Sequence, residues 1–514
     1  MASQNRQIGK TILISGFGAF LTYAINFVLT PYITNAIGIE AYGFVSIAKT
    51  TVSYAEIAMT ALTAFVVRYI SVSYHEKRLK EANLYYSSSV FACLLFALII
   101  FGVACIFIEK IENILIIPGN LVTSVKILFG IVFLNFVIST VNVPLGVYAY
   151  VANRLDIAGL IKIFGYILEV GVLYVIFKVL PVEVWYVGIG SICPTVVAMI
   201  CNIFAMKRYS PELVYRRENV SLLKIKNLVK NGIWNSLNSL GNVLNSGLDL
   251  IISNLMLSGT ATGQIAVSKT IGTMFQTVLV VVSQPFQPQM IKTYASGRMD
   301  EFLKSLKKAM IVCGWFSNVA FAGFVALGML YFKLWLPDEN TTVLYYLTVL
   351  TVVNYVTDGV LQPVYYINTL TLQNKIPCWI TIAGGLCNVL GMYVLIKNTQ
   401  LGIYSVAITT AVIMVSINLF FNPIYAAHCL NIKAKIIYKL LARDLLSCSI
   451  MVIIFVWIKN VLNPSNWVGL IVSAAIMCII ALPIHMLCMY DRNEMRILLN
   501  DSIKKIKQLF NYGC

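Results

Sequence analysis

Apolar runs of about twenty residues recur along this chain at nearly even spacing, and that feature leaves few folds open. Fourteen can be placed, at approximately 11–37, 41–70, 84–108, 121–150, 155–179, 183–206, 229–257, 262–291, 304–335, 342–369, 376–397, 400–428, 441–463 and 466–490. A helix of that length crosses the roughly 30 Å hydrocarbon core of a bilayer. In hydrocarbon, the backbone polar groups of a lipid-facing segment must be satisfied within it, so each run is read as an α-helix. Only 11% of the 514 residues are charged and 59% are hydrophobic, against about 25% charged in a soluble domain. The expectation is an all-α polytopic membrane protein.

The net charge of +17 would suit a nucleic-acid binder, but its distribution argues for topology instead. With the N-terminus inside, 29 of the 38 lysines and arginines fall in cytoplasmic segments and 5 in outer loops. The other 4, Lys49, Lys126, Lys162 and Lys269, lie within spans. The positive-inside rule then places both termini in the cytoplasm and supports an even number of spans. The first run is too long for the apolar part of a signal peptide and lacks a clear small-residue cleavage site, so it reads as a retained span.

The halves resemble each other. Gly43-Phe-Val-Ser-Ile-Ala-Lys49-Thr50 aligns with Gly263-Gln-Ile-Ala-Val-Ser-Lys269-Thr270 at an offset of 220, and Ser53 and Glu56 then match Thr273 and Gln276. Asn153-Arg154-Leu155 resembles Asn374-Lys375-Ile376 at an offset of 221. Six spans separate the copies, so the repeat is parallel. The segmentation expected is an N-terminal lobe at 1–206, a charged cytoplasmic linker at 207–228, a C-terminal lobe at 229–428, two added helices at 429–490 and an amphipathic tail at 491–514. Two six-helix lobes around a central cavity make a transporter layout.

Polar stripes mark the helices expected to line that cavity. Asn231, Asn235, Asn238, Asn242, Asn245 and Asp249 follow one another at steps of three and four, which places them on one helix face. A break at Ser258–Gly263 opens a second helix carrying Lys269, Thr273 and Gln276 on one face. The first span adds Asn26, and the second adds Lys49, Ser53 and Glu56. Such stripes must face protein or water, because unpaired polar groups in hydrocarbon cost several kcal/mol. The rival reading of the asparagines is hydrogen bonding between helices. Lys49 and Lys269 lie about seven residues inside the outer ends of their spans; a charge so deep costs a few kcal/mol unless it reaches water or a partner. Their rival roles are snorkelling to the interface or, for Lys269, a pair with Asp249. Asp249, Glu56 and Asp358 are carboxylates suited to gating or ion coupling, whereas Glu169, nearly alone on its helix, suits a structural partnership. Arg68, at the inner end of the second span, reads as an anchor at the inner mouth. Pro285 and Pro288 should bend or end the eighth span.

The run Asn26-Phe-Val-Leu-Thr-Pro31-Tyr-Ile-Thr-Asn-Ala-Ile-Gly38-Ile-Glu-Ala-Tyr42-Gly43, followed by Arg68 after an apolar span, resembles the opening of Wzx-type polysaccharide flippases. These belong to the multidrug/oligosaccharidyl-lipid/polysaccharide exporter superfamily. The stretch from Asp249 to Gly263 resembles that family's seventh-to-eighth span connection, although the Gly-x-Tyr usual there is Gly263-Gln-Ile here. The resemblance implies a flippase of the bacterial cytoplasmic (inner) membrane. Its cargo would be a polyprenyl-diphosphate-linked oligosaccharide, moved by alternating access for O-antigen, capsule or exopolysaccharide synthesis. Lys49 and Lys269 would then hold the diphosphate as point charges, with the asparagines toward the sugar. Partners implied are membrane lipids, a polysaccharide polymerase and a chain-length regulator, with no nucleic acid and no cofactor beyond coupling to a proton or sodium gradient.

Two transport alternatives stay open, an ion-coupled drug or cation antiporter and a peptidoglycan-precursor flippase. A membrane glycosyltransferase or polymerase is disfavoured because every outer loop is short. The scattered cysteines form no CxxC pair, the histidines His75, His428 and His485 are far apart, and no Gly-x4-Gly-Lys-[Ser/Thr] loop occurs, so metal and ATP chemistry are not expected.

Overall fold

The computed structural model describes Ile25 and residues 27–495, apart from Asn153, Leu372 and Arg492. All regular structure among the described residues is helical. The helices fall into two compact units. The first unit, Met1–Val267 with Cys378–Val406, contains α1 (Phe27–Ile37), α2 (Ile39–Thr63), α3 (Val66–His75), α4 (Leu79–Glu109), α5 (Val122–Leu145), α6 (Tyr148–Val151), α7 (Leu155–Val179), α8 (Tyr186–Tyr209), α9 (Leu222–Ser246) and α10 (Asp249–Met256). The helix α11 (Gly259–Ser283) begins in this unit and continues into the second.

The second unit, Ser268–Pro377 with Ala407–Cys514, adds α12 (Gln287–Ala295), α13 (Met299–Trp335), α14 (Thr341–Val352) and α15 (Asn354–Leu370). From Cys378 onward α16 (Lys375–Asn398) belongs to the first unit. From Ala407 onward α17 (Tyr404–Ser416) belongs to the second, followed there by α18 (Asn422–Leu430), α19 (Lys435–Leu462) and α20 (Trp467–Met489). In this division α9 and α10 pack on α2, and α16 packs on α9, within the same unit as the N-terminal helices.

Among the described residues, twelve helical runs are long and apolar enough to cross a membrane. The two remaining runs of the fourteen are the first and the seventh. Residues 11–24 and Asn26 of the first lie outside the described residues, and α1 is the rest of it. The seventh is α9 with α10, whose asparagines lower its hydropathy and whose helix is interrupted at Gly247 and Leu248.

Small residues let helices meet backbone to backbone, as membrane helix packing requires. In the first unit a Cβ at Gly232 of α9 would stand 2.6 Å from the Ala61 carbonyl carbon of α2, and closer still to its oxygen. The repeated motif also meets itself: a Cβ at Gly43 would lie 2.9 Å from the Gly263 nitrogen. The linker is held along α4. Asn83 donates from Nδ2 to the Glu212 carbonyl (2.9 Å) and accepts from the Val214 N–H (2.8 Å), while the Ser221 N–H donates to Ser88 Oγ (2.9 Å). These bonds satisfy extended backbone that has no helix to pair within.

In the second unit Phe302, Met310, Val360 and Leu440 share one buried apolar cluster, and Met451, Phe455 and Met477 another. Pro285 ends α11 as expected, through a 3₁₀ turn at Gln284–Phe286, because it cannot donate to the helix ladder. Asn340, the first residue of a formal Asn-Thr-Thr sequon, caps α14 by accepting from the Val343 N–H at 3.2 Å.

Candidate functional site

The polar stripe of the first unit is built on one antiparallel helix seam. Gly232 of α9 faces Ala61 of α2, Ser236 Oγ donates to the Ile57 carbonyl, and the Tyr54 hydroxyl donates to the Gly247 carbonyl at 3.0 Å. That register puts Glu56 level with Asn235 and Asn238, and Lys49 level with the C-terminal end of α9. Lys49, Glu56, Asn235, Asn238 and Asn242 are all exposed, and Ser53 is half-buried. At membrane depth a lysine, a carboxylate and three amides left uncovered call for water or a polar ligand, not acyl chains.

The stripe does not continue unchanged. Asn245 is buried; its Nδ2 donates to the Gly241 carbonyl (2.9 Å) and to the Thr381 carbonyl of α16 (2.8 Å). Asn388 of α16 in turn donates to the Asn245 carbonyl at 2.8 Å. This asparagine therefore joins two helices in the structure. Asp249 is buried at the first turn of α10, close enough to Tyr54 to interact electrostatically. A carboxylate suits that position, where the helix dipole is positive. Glu169 of α7 is near enough to Lys49 to interact with it electrostatically. Arg68 is exposed on the first turn of α3, its guanidinium 5.9 Å from the Phe65 ring centroid. Asn26 lies outside the described residues.

In the second unit Lys269 is half-buried on α11, and Thr273 and Gln276 are exposed one and two turns on. Asp358 sits in a denser network. Gln362 Nε2 donates to Asp358 Oδ2 at 2.9 Å. The Tyr365 hydroxyl lies 2.7 Å from Asp358 Oδ1 and 2.9 Å from Asn418 Oδ1. Asn418 belongs to a π-helical turn, Ile417–Phe421, a distortion often found at functional positions. Its Nδ2 donates to Thr357 Oγ1 (3.2 Å), and its Oδ1 accepts from Asn422 (2.9 Å). Tyr365 has one hydrogen to share between two acceptors. With Asp358 ionised one contact therefore has no hydrogen, and a single proton on Asp358 supplies it.

Two buried carboxyls have no counterpart in the sequence analysis, Asp156 at the start of α7, which pairs with Arg154 at 3.1 Å, and Asp444. Asp444 of α19 is fully buried, and Asn318 Nδ2 donates to its Oδ1 (3.0 Å) and to its carbonyl (3.1 Å). Gly314 lies directly against that carboxyl. Nearby, His485 is buried between Ser447 Oγ (3.0 Å) and the Ile311 carbonyl (2.9 Å).

A family described as "Polysaccharide biosynthesis protein" matches residues 8–293, more than half of the chain. The chain belongs to this family. It is 25% identical over 454 residues to the "Uncharacterized membrane protein EpsK" of Bacillus subtilis (strain 168), covering 87% of this chain and 88% of that one. Among solved structures it is similar to the lipid II flippase MurJ in an inward closed conformation, with TM-score 0.69, 13% identity, and coverage of 93% of this chain and 98% of that one. It is similar also to an inward-facing multidrug resistance MATE family transporter of the MOP superfamily, with TM-score 0.69, 11% identity, and coverage of 80% and 96%. At these identities the structural likeness establishes the fold. The protein is thus a multi-pass, all-helical membrane member of the polysaccharide biosynthesis family with a MATE- and MurJ-like fold.

Proposed function

We propose that this protein is a flippase that carries a polyprenyl-diphosphate-linked oligosaccharide repeat unit across the bacterial cytoplasmic membrane by alternating access. The reading rests on the exposed Lys49–Glu56–Asn235–Asn238–Asn242 strip at membrane depth, in a member of a polysaccharide biosynthesis family. Lys49 and Lys269, matched in the internal repeat, bind the diphosphate. The amides of Asn235, Asn238 and Asn242, with Ser53, Thr273 and Gln276, receive sugar hydroxyls, and Arg68 meets the headgroup at the inner mouth. The cargo passes outward to a polymerase. The test is complementation of a flippase deletion in the protein's own polysaccharide-producing host. Wild type should restore surface polymer, while Lys49→Ala/Lys269→Ala, present at normal level, accumulates lipid-linked intermediate in the inner leaflet. Normal export by the double variant would remove the anion site.

Transport by this reading is coupled to an ion through Asp358, whose network is one hydrogen short when the carboxyl is ionised. Asp358→Asn should abolish gradient-driven transport yet leave downhill exchange. The same network supports the second reading, an ion-coupled antiporter. It takes precedence if wild type fails to restore polymer but confers gradient-dependent efflux of organic cations.

A further inference from the structure

At the end of the second unit that the charge bias assigns to the cytoplasm, α13 and α19 enclose a groove of about 270 Å³. Lys304 and Lys307 of α13 and Lys439 and Arg443 of α19 line it, over an apolar floor that includes Leu306 and Met310. The acidic segment just beyond α20 lies against these cations. Asp491 pairs with Arg443 and, at 3.4 Å, with Lys439; Glu494 pairs with Lys307. Arg443 also donates to the Met489 carbonyl at 3.2 Å. Two carboxylates thus stand where four cations converge, and they mark the spot as one that holds oxyanions.

We propose that this groove is a binding site for the phosphate headgroup of an anionic phospholipid of the cytoplasmic leaflet, and that Asp491 and Glu494 compete with the lipid for it. The charge balance favours a further anion, since four cations meet two carboxylates. Arg443 can present a planar fork to phosphate, and the lysines add point charges. The apolar floor, with Ile436 and Leu446 exposed on α19, gives the lipid's chains a surface continuous with the bilayer. The tail segment is then a built-in counter-ion that anionic lipid displaces.

The test uses purified full-length protein in phosphatidylcholine nanodiscs, titrated with fluorescent phosphatidylglycerol. Near an anionic headgroup each basic residue contributes about a fivefold affinity factor, so Lys304→Gln/Arg443→Gln should lose about thirtyfold. Asp491→Asn/Glu494→Gln should change affinity in the opposite direction, with a severalfold gain, and this second variant keeps the test decisive if the first does not accumulate. Equal binding of fluorescent phosphatidylcholine would overturn the proposal. So would weakened phosphatidylglycerol binding after neutralising the tail carboxylates, or displacement by soluble glycerol phosphate as effective as by the lipid.

Discussion

Replacing Gly232 by alanine tests the seam on which the first unit's polar strip is built. In an open helix position the change should stabilise by about 0.8–1 kcal/mol, because alanine loses less backbone entropy than glycine. At Gly232 the added methyl group would stand 2.6 Å from the Ala61 carbonyl carbon and 2.9 Å from its Cα. Ordinary contact needs roughly 3.5–4 Å, so α2 and α9 must part by about an ångström. The obstacle is backbone and cannot turn aside, which puts the cost near the upper end of the roughly 1–3 kcal/mol typical of overpacking. One turn along, the Ser236–Ile57 hydrogen bond would stretch, at about 1 kcal/mol. The net expectation is a loss of about 2–3 kcal/mol. Gly102 of α4 supplies the internal control, since a Cβ there meets nothing within 4 Å, and Gly102→Ala should stabilise. Thermal unfolding of both variants in the same detergent reads the opposite signs directly. If Gly232→Ala raises the midpoint as Gly102→Ala does, the seam is not close-packed. The level placement of Glu56 beside Asn235 and Asn238 would fail with it.

Three further outcomes follow from local chemistry. Asn318→Ala removes the amide that donates to the fully buried Asp444 carboxyl, and the orphaned group should lower stability by about 1–3 kcal/mol; Asp444→Asn in the same background should recover part of the loss in a detergent unfolding assay. Asn340→Ala deletes the side-chain cap of α14 and should cost about 1 kcal/mol, with Asn340→Asp nearly neutral by the same measurement. Arg443 holds the Asp491 carboxyl below its usual range, and Lys307 does the same for Glu494. A depressed folded-state value means that docking of Asp491 and Glu494 is at full strength above the ordinary carboxylate range and weakens as pH falls through the depressed values. A fluorophore attached at position 493 should therefore report release only in strong acid, with the midpoint rising toward the ordinary range in Arg443→Gln.

Much of this molecule is legible in its sequence because a membrane tolerates so few solutions. Apolar runs of spanning length dictate helices, and an asparagine every three or four residues dictates a polar face whatever packs beside it. What that spacing cannot say is which part of the face stays open. Asn242 and Asn245 are equivalent by periodicity, yet the first is exposed and the second buried. The difference comes from α16, well over a hundred residues away in sequence. There Gly385 admits Leu244, and Thr381 packs on Gly241 while its carbonyl takes the Asn245 amide.

Ionisable groups show the same divide. Lys49 announces itself by depth alone, but Glu169, with which it interacts electrostatically, lies on another helix more than a hundred residues on, so sequence spacing does not join the two. Asp444 is hidden by helical phase: Arg443 is its neighbour in sequence, yet a turn of about 100° per residue sends the carboxyl into the core and leaves the guanidinium near the surface. A charged pair adjacent in sequence is thus split between a buried amide partner at Asn318 and a surface carboxylate at Asp491. Hydropathy averaged over a window cannot resolve that split, because it assigns one environment to both residues. Helical phase can resolve it, once a neighbouring helix supplies a glycine such as Gly314 to make room for the carboxyl.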